Sequence, residues 1–114
     1  MSKQKLFISQ PMRNMTENDI LDKRKKLYKP FKDNYILIDS YFKIDAPNDN
    51  FLWYLGESIK LLGEADLVLF DKDWQLAPGC RVERIICSLY NIPMIEEFDE
   101  NDIVVTYPEG RKKY

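Results

Sequence analysis

Apolar and polar positions alternate along this chain in blocks that switch between two periods. Lys5 to Ser9 (KLFIS) is a short apolar run ending in Gln10-Pro11, and reads as a first strand. Thr16-Glu17-Asn18-Asp19 fits a capping box opening a helix, in which Thr16 caps and Asp19 reaches back. Ile20, Leu21, Leu27, Tyr28 and Phe31 then recur at helical spacing, with Lys and Arg on the other face, and Pro30 ends or bends the helix near Lys29. Tyr35 to Ile38 is a second strand, followed by a polar loop over Asp39 to Asn50. Asp49 or Asn50 caps a second helix whose apolar face runs Leu52, Leu55, Ile59 and Leu62, with Gly63 at its end. Ala65 to Phe70 is apolar almost throughout, as a strand covered on both faces should be. Asp71 to Pro78 is a loop, and a third helix opens near Gly79 with the stripe Val82, Ile85, Ile86 and Leu89. Pro93 to Ile95 is a fourth strand and Ile103 to Thr106 a short fifth.

Strands alternating with helices imply an α/β domain with a four- or five-stranded parallel sheet, wound by right-handed crossovers. Residues 1–114 form one domain on length alone. With strands in the order 2-1-3-4-5, the strand order reverses between strands one and three. Ligands sit in that crevice, beyond the carboxyl ends of the strands. The segments aimed there are Ser9-Gln10-Pro11-Met12 and Asp71 to Gly79, and Glu83 enters from the third helix, in what reads as its first turn. A helix start carries unpaired N–H groups and partial positive charge, so it favours an ionised carboxylate. An ionised carboxylate in a cleft can act as a nucleophile.

Composition narrows the chemistry. At 45% hydrophobic and 13% aromatic the chain can bury a core. Its 17 basic and 19 acidic residues leave a net charge of −2, which is no footprint for a nucleic acid polymer. Lys23-Arg24-Lys25-Lys26 reads as a solvated helix face and Arg111-Lys112-Lys113 as a frayed tail. No apolar run approaches the ~20 residues that span a bilayer. The N-terminus passes directly into a strand without the apolar core of a signal peptide, so a cytoplasmic location is expected. Cys80 and Cys87, seven apart on one helix, cannot reach each other and are expected to be reduced. With no histidine and no paired cysteine motif a zinc site is not expected, and no Ser–His or Cys–His dyad can form within the chain. No metal and no cofactor is expected.

Three features align: the turn SQPM after strand one, the pair Ala65-Asp66 opening strand three, and Gly79-Cys80-Arg81-Val82-Glu83 opening helix three. With IDSYF, WYLGESIKLLGEADLVLF and YNIPMI they resemble the nucleoside 2-deoxyribosyltransferase superfamily, in particular its short phage and bacterial branch, a domain of unknown function. The resemblance implies a flavodoxin-like three-layer fold binding a nucleoside or nucleotide. It implies that Glu83 attacks the sugar C1′ to form a covalent sugar ester, from which water or a second base takes the sugar. Such retaining transfer uses a carboxylate nucleophile together with a proton donor for the leaving base. This chain departs from the pattern at the donor. Ser58 stands where the enzymes place an Asp on helix two, Ala77 stands where they carry a polar residue six before the Glu, and Arg81 replaces the second Gly. Asp71 or Asp73 is available as a substitute.

Other residues divide between ligand and structure. Ser9 and Gln10 bond either the ligand or their own turn, and Pro11 and Met12 continue that turn. Trp74 either stacks on a base or packs as a lid or subunit contact. Arg81 on a helix start suits a phosphate or carboxylate, and Gly79 allows either the turn or close backbone approach. Asp66 suits a structural bond to a neighbouring loop's backbone. Trp53 and Tyr54 suit helix packing or an oligomer interface, and Cys80 suits a small packed residue. The expected function is an N-glycosidase or 2-deoxyribosyltransferase. The alternative is a non-catalytic protein that senses or sequesters a nucleotide or an ADP-ribose-type ligand. A homodimer or larger homo-oligomer, with the tail Tyr107 to Tyr114 closing a neighbour's site, follows from the resemblance.

Overall fold

The computed structural model describes residues 3–12, 14–41, 50–98 and 105–106. The expected helix cap at Asp49, the basic tail at Arg111 to Lys113, the start of the fifth strand at Ile103 and the closing segment Tyr107 to Tyr114 lie outside them. In chain order the elements are β1 (Gln4–Ser9), α1 (Glu17–Tyr28), β2 (Tyr35–Leu37), α2 (Phe51–Leu62), β3 (Leu67–Asp71), α3 (Pro78–Leu89), β4 (Met94–Phe98) and β5 (Val105–Thr106). Single 3-10 turns cover Lys29–Phe31 and Trp74–Leu76.

The strands lie in the order β2-β1-β3-β4-β5. The first four are parallel, as expected, and the order reverses between β1 and β3. Of the four- or five-stranded parallel sheet expected, the four-stranded form is the one found: β5 takes its expected place beside β4 but pairs antiparallel, Met94 opposite Thr106. Only six residues of sequence, 99–104, join β4 to β5, fewer than the dozen or so that a parallel crossover takes.

Local chemistry fixes the helix ends. Thr16 Oγ1 accepts from the Asp19 N–H at 3.1 Å and Asp19 Oδ2 accepts from the Thr16 N–H at 3.4 Å, completing the capping box. Asn50 caps α2 by accepting from the Trp53 N–H at 3.1 Å. α3 ends where Asn91 takes the left-handed conformation (φ 56°) and the Ile92 N–H donates to Cys87 O. Gly63, expected to use such freedom, stays right-handed at φ −61°. β3 starts two residues later than expected. Asp66 sits just before it, and its Oδ2 accepts from the Lys5 backbone N–H at 2.7 Å, a structural bond as expected, though to strand β1 and not to a loop.

Two apolar layers sandwich the sheet, because successive strand residues face opposite sides. Leu6, Ile8, Leu67, Leu69 and Ile95 pack with Leu27 of α1. Phe7, Val68, Phe70 and Met94 pack with Leu62 of α2 and Cys87 of α3. The fold is therefore three-layered and flavodoxin-like.

Two helix faces differ from the expected stripes. On α3 the buried face is Cys80, Glu83 and Cys87, while Val82, Ile85 and Leu89 are exposed. On α2, Leu52 is 77% exposed, with Phe51 and Trp53 beside it. On α1 the buried face is Ile20, Arg24 and Leu27, so Arg24 does not belong to a solvated face.

Candidate functional site

The site starts from the pleat of β1. Ser9 has the parity of Phe7 and so faces α2 and α3. Gln10 has the parity of Leu6 and Ile8 and so faces α1. Ser9 Oγ donates to Glu83 Oε1 at 2.7 Å, and Ser58 Oγ, from α2, donates to Oε2 at 2.8 Å. Each oxygen of one carboxylate is thus held by a different element. Gln10 Nε2 donates to Ile20 O at 3.1 Å, and its Oε1 accepts from Arg24 Nε at 2.8 Å. Adjacent residues at the end of β1 therefore serve two polar clusters on opposite faces.

Glu83 is only 5% exposed. It lies in the second turn of α3, since the helix begins at Pro78 and its first turn holds no acid. This corrects the first-turn expectation and the helix-start argument built on it. Burial raises the carboxyl's pKa, while the Ser9 and Ser58 hydroxyls and the Arg24 charge pull it down. Cys80 and Cys87 are both free and buried, and burial pushes each thiol up to about 12. Neither is a nucleophile at neutral pH.

A cavity of about 340 Å³ opens at the same carboxyl edge. Pro11, Met15, Leu76, Ala77 and Pro78 form apolar walls, and Asn14, Lys23, Asp71 and Asp73 supply its polar groups. Asp71 ends β3 with the parity of Leu67 and Leu69, so it faces α1, where Lys23 Nζ lies 3.7 Å from its Oδ1. Asp71 is buried, its Oδ1 has no hydrogen-bond partner, and burial raises its pKa against the pull of Lys23.

Glu83 is not among the cavity's lining residues. The pleat is the reason: Asp71 and the cavity belong to the α1 face of the edge, Glu83 to the α2–α3 face. A ligand reaching both must lie across the ends of β1 and β3.

Of the residues expected at the site, Pro11 and Asp71 line the cavity, and Ser9 and Ser58 hold Glu83. Gln10 is committed to Ile20 and Arg24. Met12 is half-buried in the turn that follows β1, its carbonyl accepting from the Met15 N–H. Trp74 packs edge-on to Phe70, with ring centroids 5.9 Å apart, and does not line the cavity. Arg81 is exposed on the first turn of α3. Gly79 needs no special conformation, since a methyl there would meet Leu55 Cδ1 at an ordinary 3.7 Å. Lys23 and Arg24 were missed as site residues. Their signal was spacing: Arg24 falls four after Ile20 and three before Leu27, on the core face.

Among the described residues no group of three or more potential ligands could hold a metal ion, and no helix is long and apolar enough to cross a membrane. Comparison with family models, curated proteins and solved structures gives no match.

Proposed function

We propose that this protein is a nucleoside or nucleotide N-glycosidase, or a related 2-deoxyribosyltransferase, in which Glu83 is the nucleophile. The observation that carries the reading is the Glu83 carboxylate, buried at the reversal of strand order with each oxygen fixed by one serine hydroxyl. Those bonds set the carboxylate plane and leave lone pairs on both oxygens. The neighbouring cavity supports it: apolar walls suit the faces of a nucleobase, and Asp71, Asp73 and Asn14 suit its polar edge.

In this reading the base occupies the cavity and the sugar crosses the end of β1 toward Glu83. A Glu83 oxygen bonds to C1′ while the C1′–N bond breaks, its electron pair passing to the base nitrogen. Asp71, whose burial favours the protonated form, gives that nitrogen its proton. Water, or a second base in transfer, then bonds to C1′ as the C1′–Glu83 ester bond breaks and frees the carboxylate, and the proton lost by the water or incoming base returns to Asp71. Asp71 thereby takes the donor role that Ser58 cannot fill. A homo-oligomer belongs to the same reading, supported by exposed Phe51, Leu52 and Trp53 on α2 and Ile85 and Leu89 on α3.

A second reading, a binding protein without turnover, draws on the placement of Glu83 outside the cavity lining. Incubation with a panel of ribo- and deoxyribonucleosides and their monophosphates, read by chromatography, separates the two. Free base, lost in Glu83→Gln, supports the enzyme. Ligand-dependent thermal stabilisation without base release supports the binding protein.

A further inference from the structure

We propose that Lys23 contacts the leaving base beside the nitrogen that Asp71 protonates, so that the cavity favours 2-oxopyrimidine nucleosides over purine nucleosides. The inference rests on the reading that the base lies in the cavity and takes its proton from Asp71, and it names the substrate class. Lys23 is the one cation among the described residues lining the cavity, which it shares with Asp71, Asp73 and Asn14. Its Nζ stands 3.7 Å from Asp71 Oδ1, close enough to attract and too far for a hydrogen bond. Oδ1 is buried and has no hydrogen-bond partner, while the ammonium carries three donors. A donor and an acceptor thus stand side by side in one cavity, each with capacity left for a ligand.

Such a pair fits two atoms of a base that are joined through a single carbon. In a pyrimidine nucleoside the glycosidic nitrogen N1 is joined through C2 to the carbonyl oxygen O2. As the C1′–N1 bond breaks, its electron pair passes to N1 and is shared with O2. Asp71 gives N1 its proton, and the Lys23 ammonium donates a hydrogen bond to O2 while keeping its own protons. The base leaves neutral and Asp71 is left ionised, accepting from the new N1–H. A donor already aimed at the atom where charge develops stabilises that charge most. In a purine the corresponding atom is the ring nitrogen N3, and much of the displaced pair is shared with N7 across the imidazole ring. An ammonium beside Asp71 then has no carbonyl oxygen to hold.

The released base offers the same two atoms without any chemistry, so the test is the binding of free bases to the full chain, followed by backbone amide shifts in NMR. Uracil is expected to shift Asn14, Asp71 and Asp73, and to bind about tenfold more tightly than adenine or than 1-methyluracil, which has lost the N1–H. Lys23→Met, which keeps the apolar stem and removes the charge, is expected to weaken uracil about tenfold and to leave adenine within about twofold. An advantage of uracil over either comparison base below about threefold in the parent overturns the proposal. So does unchanged uracil affinity in Lys23→Met, or the lack of a saturable uracil shift at the cavity. The comparison of bases uses the parent alone and decides the matter should Lys23→Met fail to fold. Base release does not enter the measurement. A chain that prefers uracil but releases no base from deoxyuridine loses only the nucleophile reading, and one that releases base through Glu83 yet binds adenine as tightly as uracil loses only this one.

Discussion

Ser9 and Glu83 stand 74 residues apart in the chain, yet Ser9 Oγ donates to Glu83 Oε1 at 2.7 Å inside the protein. The bond joins the carboxyl end of β1 to the second turn of α3, and Ser58 extends it to α2. Ser9→Ala removes a hydrogen bond to a buried carboxylate. The expected loss is about 1.5–3 kcal/mol of stability, measured by urea denaturation. Ser58→Ala, at a half-buried position, should cost less.

Glu83 also makes stability depend on pH. Its folded-state pKa is raised by burial above the unfolded value. Between the two values the folded chain binds more protons than the unfolded one, so Glu83 weakens the fold as pH rises through that window. Glu83→Gln keeps the shape and has no proton to lose there. The melting temperature of the variant minus that of the parent should increase from about pH 4, the ordinary glutamate value, to neutrality. Differential scanning fluorimetry across that range checks the sign, and a flat or falling difference contradicts it.

Cys80 and Cys87 should resist thiol reagents in the native state. Both are buried, with thiols pushed up to about 12. At pH 8 an aromatic disulfide reagent is expected to label neither until urea unfolds the chain, when both react together. Rapid labelling of Cys80 in the folded protein would show that the start of α3 is open to solvent.

The exposed apolar face of α3 gives a prediction about assembly. Ile85→Glu with Leu89→Glu alters exposed positions, so the far-UV circular dichroism should remain that of the parent. Light scattering coupled to size exclusion should report a lower mass than the parent if this face joins subunits. Equal masses would remove α3 from the interface. Leu69→Ala, in the fully buried centre of β3, should instead cost about 2–5 kcal/mol.

Asp66 marks a structural role by contrast with Asp71. Its carboxylate accepts from the Lys5 N–H at 2.7 Å, at the amino end of β1, away from the cavity. Asp66→Ala should lower stability by about 1 kcal/mol and leave any base release unchanged at temperatures where the variant is folded.

The amino-acid order alone determined the alternation of strands and helices and the cap at Thr16, narrowed the α2 cap to Asp49 or Asn50, and, on a strand order of 2-1-3-4-5, aimed Ser9, Asp71 and Glu83 at one sheet edge. Those features are local: hydrophobic period, capping chemistry and crossover handedness act over a few residues or one connection. Tertiary structure decided which side of that edge each group occupies. Of the stripe Val82, Ile85, Ile86 and Leu89 that hydrophobicity favoured, only Ile86 packs on the core, and α3 buries Cys80, Glu83 and Cys87 instead. A carboxylate met by hydroxyls from two other elements can be buried, and hydropathy has no means of registering partners so distant in the chain. Arg24 looked solvated for the same reason, since its neighbours in sequence are lysines while Gln10, which braces it, comes from the residue just after β1. The separation of Glu83 from the Asp71 cavity, set by the parity of residues along β1 and β3 once the layers are packed, is a property of the assembled sheet.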